Sequence, residues 1–188
     1  MADVLKVEDI IGRFESGAIG EIVKTQTTYL DAICSFQFKP SPQNLRIHFR
    51  GKREFLLGKD KFTRLQLFDE HPLLIDYNEP IVRVHLASAV SDKQKFREEL
   101  EFAAKQVFKD YRSLERYLLM PLDKFLEKSY GILVSAPKTF ADAVIEAGER
   151  SEVKLVPHEG YDQKGKWRIL FLGNWYVIAD DFRVECLM

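Results

Sequence analysis

The sequence predicts an α+β fold: antiparallel sheet, a long amphipathic helix packed across it, and a C-terminal β-meander. Three observations predict it. Between Ser91 and Met120, apolar residues fall at Phe96, Leu100, Ala103, Val107, Tyr111, Leu114 and Leu118. Those steps of three and four trace one stripe of a helix, expected from about Asp92 to Leu119. Elsewhere, short segments alternate apolar and polar residues between turn formers, as strands do. Near the end, Trp167–Leu172 and Trp175–Ala179 flank Gly173-Asn174, a two-residue hairpin signal.

At 188 residues, 46% hydrophobic and 30% charged, the chain has an ordinary globular composition, which excludes general disorder. One domain over residues 1–188 is expected, with Ser91 the position of a possible weak subdivision. The formal net charge of −1 provides no overall field for nucleic acid or an anionic membrane. Cys34 and Cys186 lie far apart, in no metal or redox spacing. Asp3, Glu8 and Asp9 make the N-terminus unlike a secretory or mitochondrial leader, so a cytoplasmic location is expected. No uninterrupted apolar run approaches the roughly 18 residues of a membrane helix.

In chain order, Val4, Val7, Ile11 and Phe14 are spaced for a short helix that Gly17 and Gly20 close. Ala32, Cys34, Phe36 and Phe38 then alternate with Ile33, Ser35 and Gln37. After the turn-forming run from Lys39 to Asn44, Leu45, Ile47 and Phe49 alternate with Arg46, His48 and Arg50, which predicts a hairpin. Phe62–Phe68, Leu73–Tyr77 and Ile81–Ala87 are further strand candidates. Ser91 and Gln94 suit a capping box for the long helix, and Pro121 ends it or starts another. Leu122–Ser129 reads as helix, Ile132–Val134 as strand, Phe140–Glu149 as helix and Val153–Val156 as strand, an order compatible with a small βαβ unit. Phe182–Leu187 adds a third terminal strand.

Two motif matches fail their context. Gly160 to Lys166 fits G-x-x-x-x-G-K, but Trp167 stands where a Mg²⁺-holding Ser or Thr belongs, and a strand pattern follows where a helix is required. Ser135-Ala-Pro-Lys138 fits S-x-x-K without its companion motifs, and Ser135 is better read as a helix cap. His48, His71, His85 and His158 are isolated in sequence, so no metal site and no cofactor are expected. His71 with Asp69, Glu70 and Asp76 is the densest local mix of imidazole and carboxylate, with His71, Asp69 and Asp76 the candidates for acid/base chemistry. Cys34 shares its face with Phe36 and Phe38, as a buried inert thiol does.

Charge placement is more pointed. From Lys39 to Leu65 there are eight basic residues against two acidic. From Gln66 to Glu101 there are four basic against eight acidic. Arg46, His48 and Arg50 fall on one strand face, and Arg83 and His85 on another. Were those strands neighbours, a basic surface for phosphate or carboxylate would result. Trp167, Trp175 and Tyr176 are candidates for an exposed partner-binding patch. The leading expectation is a non-enzymatic protein that binds another macromolecule, most simply a protein. The first alternative is a small-molecule enzyme using residues 69–77. The second is a phosphate- or nucleic-acid-binding domain using the basic strand face.

Overall fold

A computed structural model describes residues 4–28, 31–39, 44–58, 61–128, 130–162 and 165–187. The chain opens with β1 (Val4–Leu5) and α1 (Val7–Glu15). Six strands follow: β2 (Ile19–Thr27), β3 (Ala32–Lys39), β4 (Asn44–Arg50), β5 (Glu54–Leu56), β6 (Lys61–Phe62) and β7 (Leu65–Phe68). A 3-10 turn (Pro72–Leu74) leads to α2 (Ile75–Asn78), β8 (Ile81–Leu86) and α3 (Lys93–Phe108). A second 3-10 turn (Leu114–Arg116) precedes α4 (Leu122–Lys128). Then come β9 (Gly131–Pro137), α5 (Lys138–Arg150), β10 (Leu155–Tyr161), β11 (Arg168–Leu172), β12 (Trp175–Ala179) and β13 (Asp181–Leu187). The fold is α+β, with three antiparallel sheets. The chain divides into two compact units, Met1–Leu74 with Lys166–Met188, and Ile75–Gly165. Ser91 lies inside the second.

The first unit holds two sheets, ordered β1-β13-β4-β3-β2-β6 and β5-β12-β11-β7. Period-two alternation builds both. Leu45, Ile47 and Phe49 on β4 are fully buried, while Arg46, His48 and Arg50 face outward. Cys34 on β3 stands opposite Ile47, and Ala32 opposite Phe49, so the expected hairpin forms in register. Its connecting residues 40–43 lie outside the described residues, as do the side chains of Phe36 and Phe38. Both sheets contribute to one core, with Ile47, Phe49 and Val184 from one and Leu170, Leu172 and Val177 from the other. Val7, Ile10 and Phe14 of α1 add to it. Gly173 adopts a positive φ of 63° in the turn between β11 and β12, as the Gly-Asn signal requires. After Asp180 the chain leaves that hairpin, and β13 pairs with β4 over seven residues.

The second unit is a three-stranded sheet, ordered β10-β8-β9, with α3, α4 and α5 supplying its apolar cover. Both outer strands run antiparallel to β8. They are therefore parallel to each other, with β8 between them. This split arrangement gives α5 the span that a βαβ crossover between adjacent strands would have left tight. Val84 and Leu86 of β8, with Val134 and Ala136 of β9, meet Phe96, Leu100 and Phe108 of α3 and Phe140 and Val144 of α5.

The long helix is shorter than its stripe. It stops at Phe108, where Lys109 takes a left-handed φ of 55°. Leu114 and Tyr117 still reach the core, but from a 3-10 turn, and Leu118 forms a bridge with Val134. Apolar spacing thus continued past the helix because an irregular segment covers the same core. Its cap is Asp92 and not Ser91: the Asp92 carboxylate accepts the Lys95 N–H at 2.9 Å, while Gln94 bonds Glu98. The expected strand Leu73–Tyr77 is instead a 3-10 turn running into α2. Leu73 and Leu74 are both buried, which alternation forbids, and His71 Nδ1 accepts the Leu73 N–H at 3.2 Å. The candidate Phe62–Phe68 is interrupted at Thr63-Arg64 into β6 and β7.

Two predictions follow from this packing. Phe108 is fully buried, stacked on Tyr117 at 4.8 Å and edge-on to Phe140 at 5.0 Å. Phe108→Ala should cost about 3–5 kcal/mol in chemical denaturation. Burial pushes the Cys34 thiol up from 9.0 to about 12. Its contribution to stability is therefore intact below pH 9.0 and lost as pH rises toward 12. Denaturation midpoints should fall across that window, Cys34→Ala should flatten the fall, and thiol reagents should reach Cys34 only after unfolding.

Candidate functional site

The outer face of β4 and β13 in the first unit assembles the densest set of charged side chains beside a cavity. Antiparallel register places Arg50 opposite Asp181, His48 opposite Arg183 and Arg46 opposite Glu185. Complementary charges directly across a strand pair attract, so the register is electrostatically favourable at Arg50/Asp181 and at Arg46/Glu185. Arg46 and Glu185 pair straight across, whereas Arg50 and Asp181 do not. Glu185 Oε2 lies 3.0 Å from His48 Nε2 and 3.8 Å from Arg46 Nη1. Asp181 Oδ2 accepts from Arg183 Nε at 2.9 Å, two residues along its own strand. Arg50 is thereby left without an ion pair to any described residue.

A cavity of about 580 Å³ opens over this face. Its cations are Lys6, Arg50, Arg168 and Arg183, and its carboxylates Glu8, Asp181 and Glu185, with His48 among them. Arg168 enters from β11, with a guanidinium nitrogen 3.6 Å from Glu8 Oε1 and the group held 5.4 Å from the Phe182 ring centre. Lys6 is fixed at the start of α1, where its backbone N–H donates to Asp9 Oδ2 at 3.1 Å. His48 Nε2 is buried without a hydrogen-bond partner among the described residues, despite its 3.0 Å approach to Glu185. Proximity suffices for Coulomb attraction, whereas a hydrogen bond fails off the N–H axis, so Nε2 keeps unused bonding capacity beside the cavity.

The acid/base cluster expected around residues 69–77 does not form. Asp69 is highly exposed and 3.9 Å from Arg168, and His71 packs 5.1 Å from Phe171 while its Nδ1 accepts the Leu73 N–H. Asp76 is enclosed in the second unit, 3.2 Å from Arg112 Nε and 3.3 Å from Arg116 Nε, and it accepts the Tyr117 hydroxyl at 2.7 Å. Burial, and then Asp76, push the Tyr117 phenol well above its usual range. A carboxylate held by two guanidinium groups and a phenol, with a side chain 8% exposed, is a structural clamp on residues 112–117.

Arg83 and His85 do not share a sheet with Arg46, His48 and Arg50, because β8 belongs to the three-stranded sheet. The terminal aromatics do not form an exposed patch either. Trp167 is buried under the Arg53 guanidinium, 4.5 Å from its ring centre. Trp175 is half-buried against the core, and Tyr176 is half-buried with its hydroxyl bonded to Glu54. Lys138 opens α5 and pairs with Asp142 at 2.6 Å rather than with Ser135, which lies within β9 and caps nothing. The cap of α5 comes from Glu79, whose carboxylate accepts from both the N–H and hydroxyl of Thr139. Gly160 sits at a bulge where a Cβ would come within 2.4 Å of the Ile81 carbonyl oxygen, so close strand packing accounts for it. Gln163 and Lys164 of that motif lie outside the described residues, and β11 follows it, not a helix.

Among the described residues, no three His, Cys, Asp or Glu side chains are placed to hold a metal ion, and no helix is long and apolar enough to cross a membrane. No known protein family matches the chain, and no curated protein or solved structure shows significant similarity to it.

The Asp76 clamp carries its own prediction. Asp76→Ala removes the buried carboxylate that Arg112, only 10% exposed, and Tyr117 both contact, and should cost about 3–5 kcal/mol in denaturation. Because the Tyr117 phenol is raised, its contribution to stability is present below about pH 10 and declines above it. Tyr117→Phe should remove that alkaline decline.

Proposed function

We propose that this chain acts by binding, and that its ligand is a small molecule bearing a phosphate or carboxylate, held on the outer face of β4 and β13. The observation that carries this reading is the pairing pattern in the cavity. Arg183 and Arg168 have carboxylate partners, whereas Arg50 has no ion pair among the described residues and lines the same space as the unsatisfied His48 Nε2. An oxyanion answers both deficits, accepting from the planar fork of Arg50 and from the Nε2–H of His48. The cavity volume is within the range of small-molecule sites, and strand-borne side chains hold their geometry better than loop-borne ones. A protein partner is less favoured, since Trp167, Trp175 and Tyr176 give it no exposed aromatic surface.

Calorimetric titration with phosphate and with citrate tests this reading. Arg50→Ala should weaken binding by about tenfold or more, the worth of one charge-assisted hydrogen bond. Added salt should weaken it further. Undiminished affinity in Arg50→Ala, or no binding by the unaltered protein, would reject the reading. The close approach of His48 to Glu185 favours a second one, an enzyme in which this pair moves a proton on an anionic ester. Turnover of phosphate or carboxylate esters that is lost in His48→Gln, with binding retained, would establish it.

A further inference from the structure

We propose that the outer face of the three-stranded sheet in the second unit is a separate oxyanion site, where Arg83, His85, His158 and Ser135 receive a phosphate group or a phosphate monoester. It does not rest on the reading of the first unit.

Register brings these residues together. Arg83 on the central strand β8 stands directly opposite Ser135 of β9 on one side and His158 of β10 on the other. Directly opposed residues are about 4.5–5.5 Å apart at Cα, so a hydroxyl, a guanidinium and an imidazole form one row across the sheet. His85, two residues along β8, lies on the same face, and its ring centre is 4.5 Å from that of His158 in an edge-on arrangement. This face is the one turned away from the helices, because Val84 and Leu86, which alternate with these residues, enter the core. Arg83 and His158 are exposed, and His85 and Ser135 half-buried.

The chemistry of the row is that of an anion receptor. Arginine supplies a planar fork, serine a hydroxyl donor, and each imidazole a second N–H once protonated. Among the described residues, none of the partners that register places on this face is a carboxylate. From β10 it receives His158, Val156 and Tyr161, and Lys154 extends the same register opposite Ala87. From β9 it receives Ser135, Ile132 and Pro137. Glu159 stands opposite Val82, whose side chain packs against the core. Arg83, His85 and His158 have no ion pair among the described residues. Partial burial, then the positive charge of His158 and of Arg83, hold the His85 ring below its usual range. An oxyanion in the row offsets the positive charge that lowers His85 and so favours a proton on that ring as it binds. Ile132 and Val156, which flank His85, offer an apolar shelf beside the row for the body of an ester.

The test follows the ring signals of His85 and His158 by NMR in the full chain, titrated with sulfate, inorganic phosphate and phenyl phosphate. Sulfate does not itself change charge between about pH 5.5 and 8, so its pH dependence reports the protein. The expected result is a saturable shift of both rings, an upward move of their titration midpoints, and sulfate affinity about tenfold higher at the acid end. Arg83→Ala should weaken the effect about tenfold, whereas Arg50→Ala should leave it unchanged, which separates this site from the cavity of the first unit. Tighter binding of phenyl phosphate than of inorganic phosphate would identify an ester as the ligand, and equal binding the free anion. Silent His85 and His158 rings with all three probes, or identical shifts in Arg83→Ala and His158→Ala, would overturn the proposal.

Discussion

The pairing of β13 with β4 is the constraint on which the first unit depends. It joins residues 44–50 to residues 181–187, and it sets both faces of the sheet at once. Inward, it places Val184 beside Ile47 and brings Phe182 edge-on to Phe49 at 5.7 Å. Outward, it aligns three basic or imidazole residues with Asp181, Arg183 and Glu185. Because side chains alternate with a period of two, a slip of one residue would bury the charges and expose the core. The apolar side thus enforces the register that the polar side uses. The cost of closing so long a stretch of chain grows only slowly with length, so seven paired residues with a buried face are enough to hold it.

Each unit presents one sheet face with more cationic side chains than carboxylates, but the electrostatics differ. Around His48 the charges are interleaved, and Arg168 and Arg183 are paired, whereas Arg50 has no ion pair among the described residues. Around His85, register places no carboxylate opposite the ring among the described residues.

Much of the fold was legible because local periodicity carries it. The alternation from Ala32 to Arg50, the Gly173-Asn174 turn and the stripe from Phe96 to Val107 each specify their element within a few residues. Legibility ended where a nonlocal contact decided the outcome. Nothing near Lys109 announces that Arg112 and Tyr117 turn toward Asp76, and Leu73-Leu74 reads as strand until His71 is seen to bond the Leu73 N–H. The site was half visible. His48 and Arg50 were found from strand alternation, and Asp181, Arg183 and Glu185 alternate just as plainly, with the opposite balance of charge. Their partnership required knowing that β13 leaves its hairpin for β4. His158 was missed beside His85 for the same reason, since cross-strand neighbours are distant in sequence.

The second unit is one uninterrupted run of chain set between the two portions of the first. During synthesis from the N-terminus, residues 75–165 have all emerged before β11, β12 and β13 exist. The inserted unit is therefore free to fold while its host is still missing the strands that complete both sheets. Until then β4 carries an unpaired edge, with Arg46, His48 and Arg50 projecting beside it. Charged side chains along an open edge discourage pairing with another nascent chain. His48 and Arg50, which line the finished cavity, together with Arg46 thus put polar and charged side chains on that edge strand in the interval before the chain's own final strand arrives.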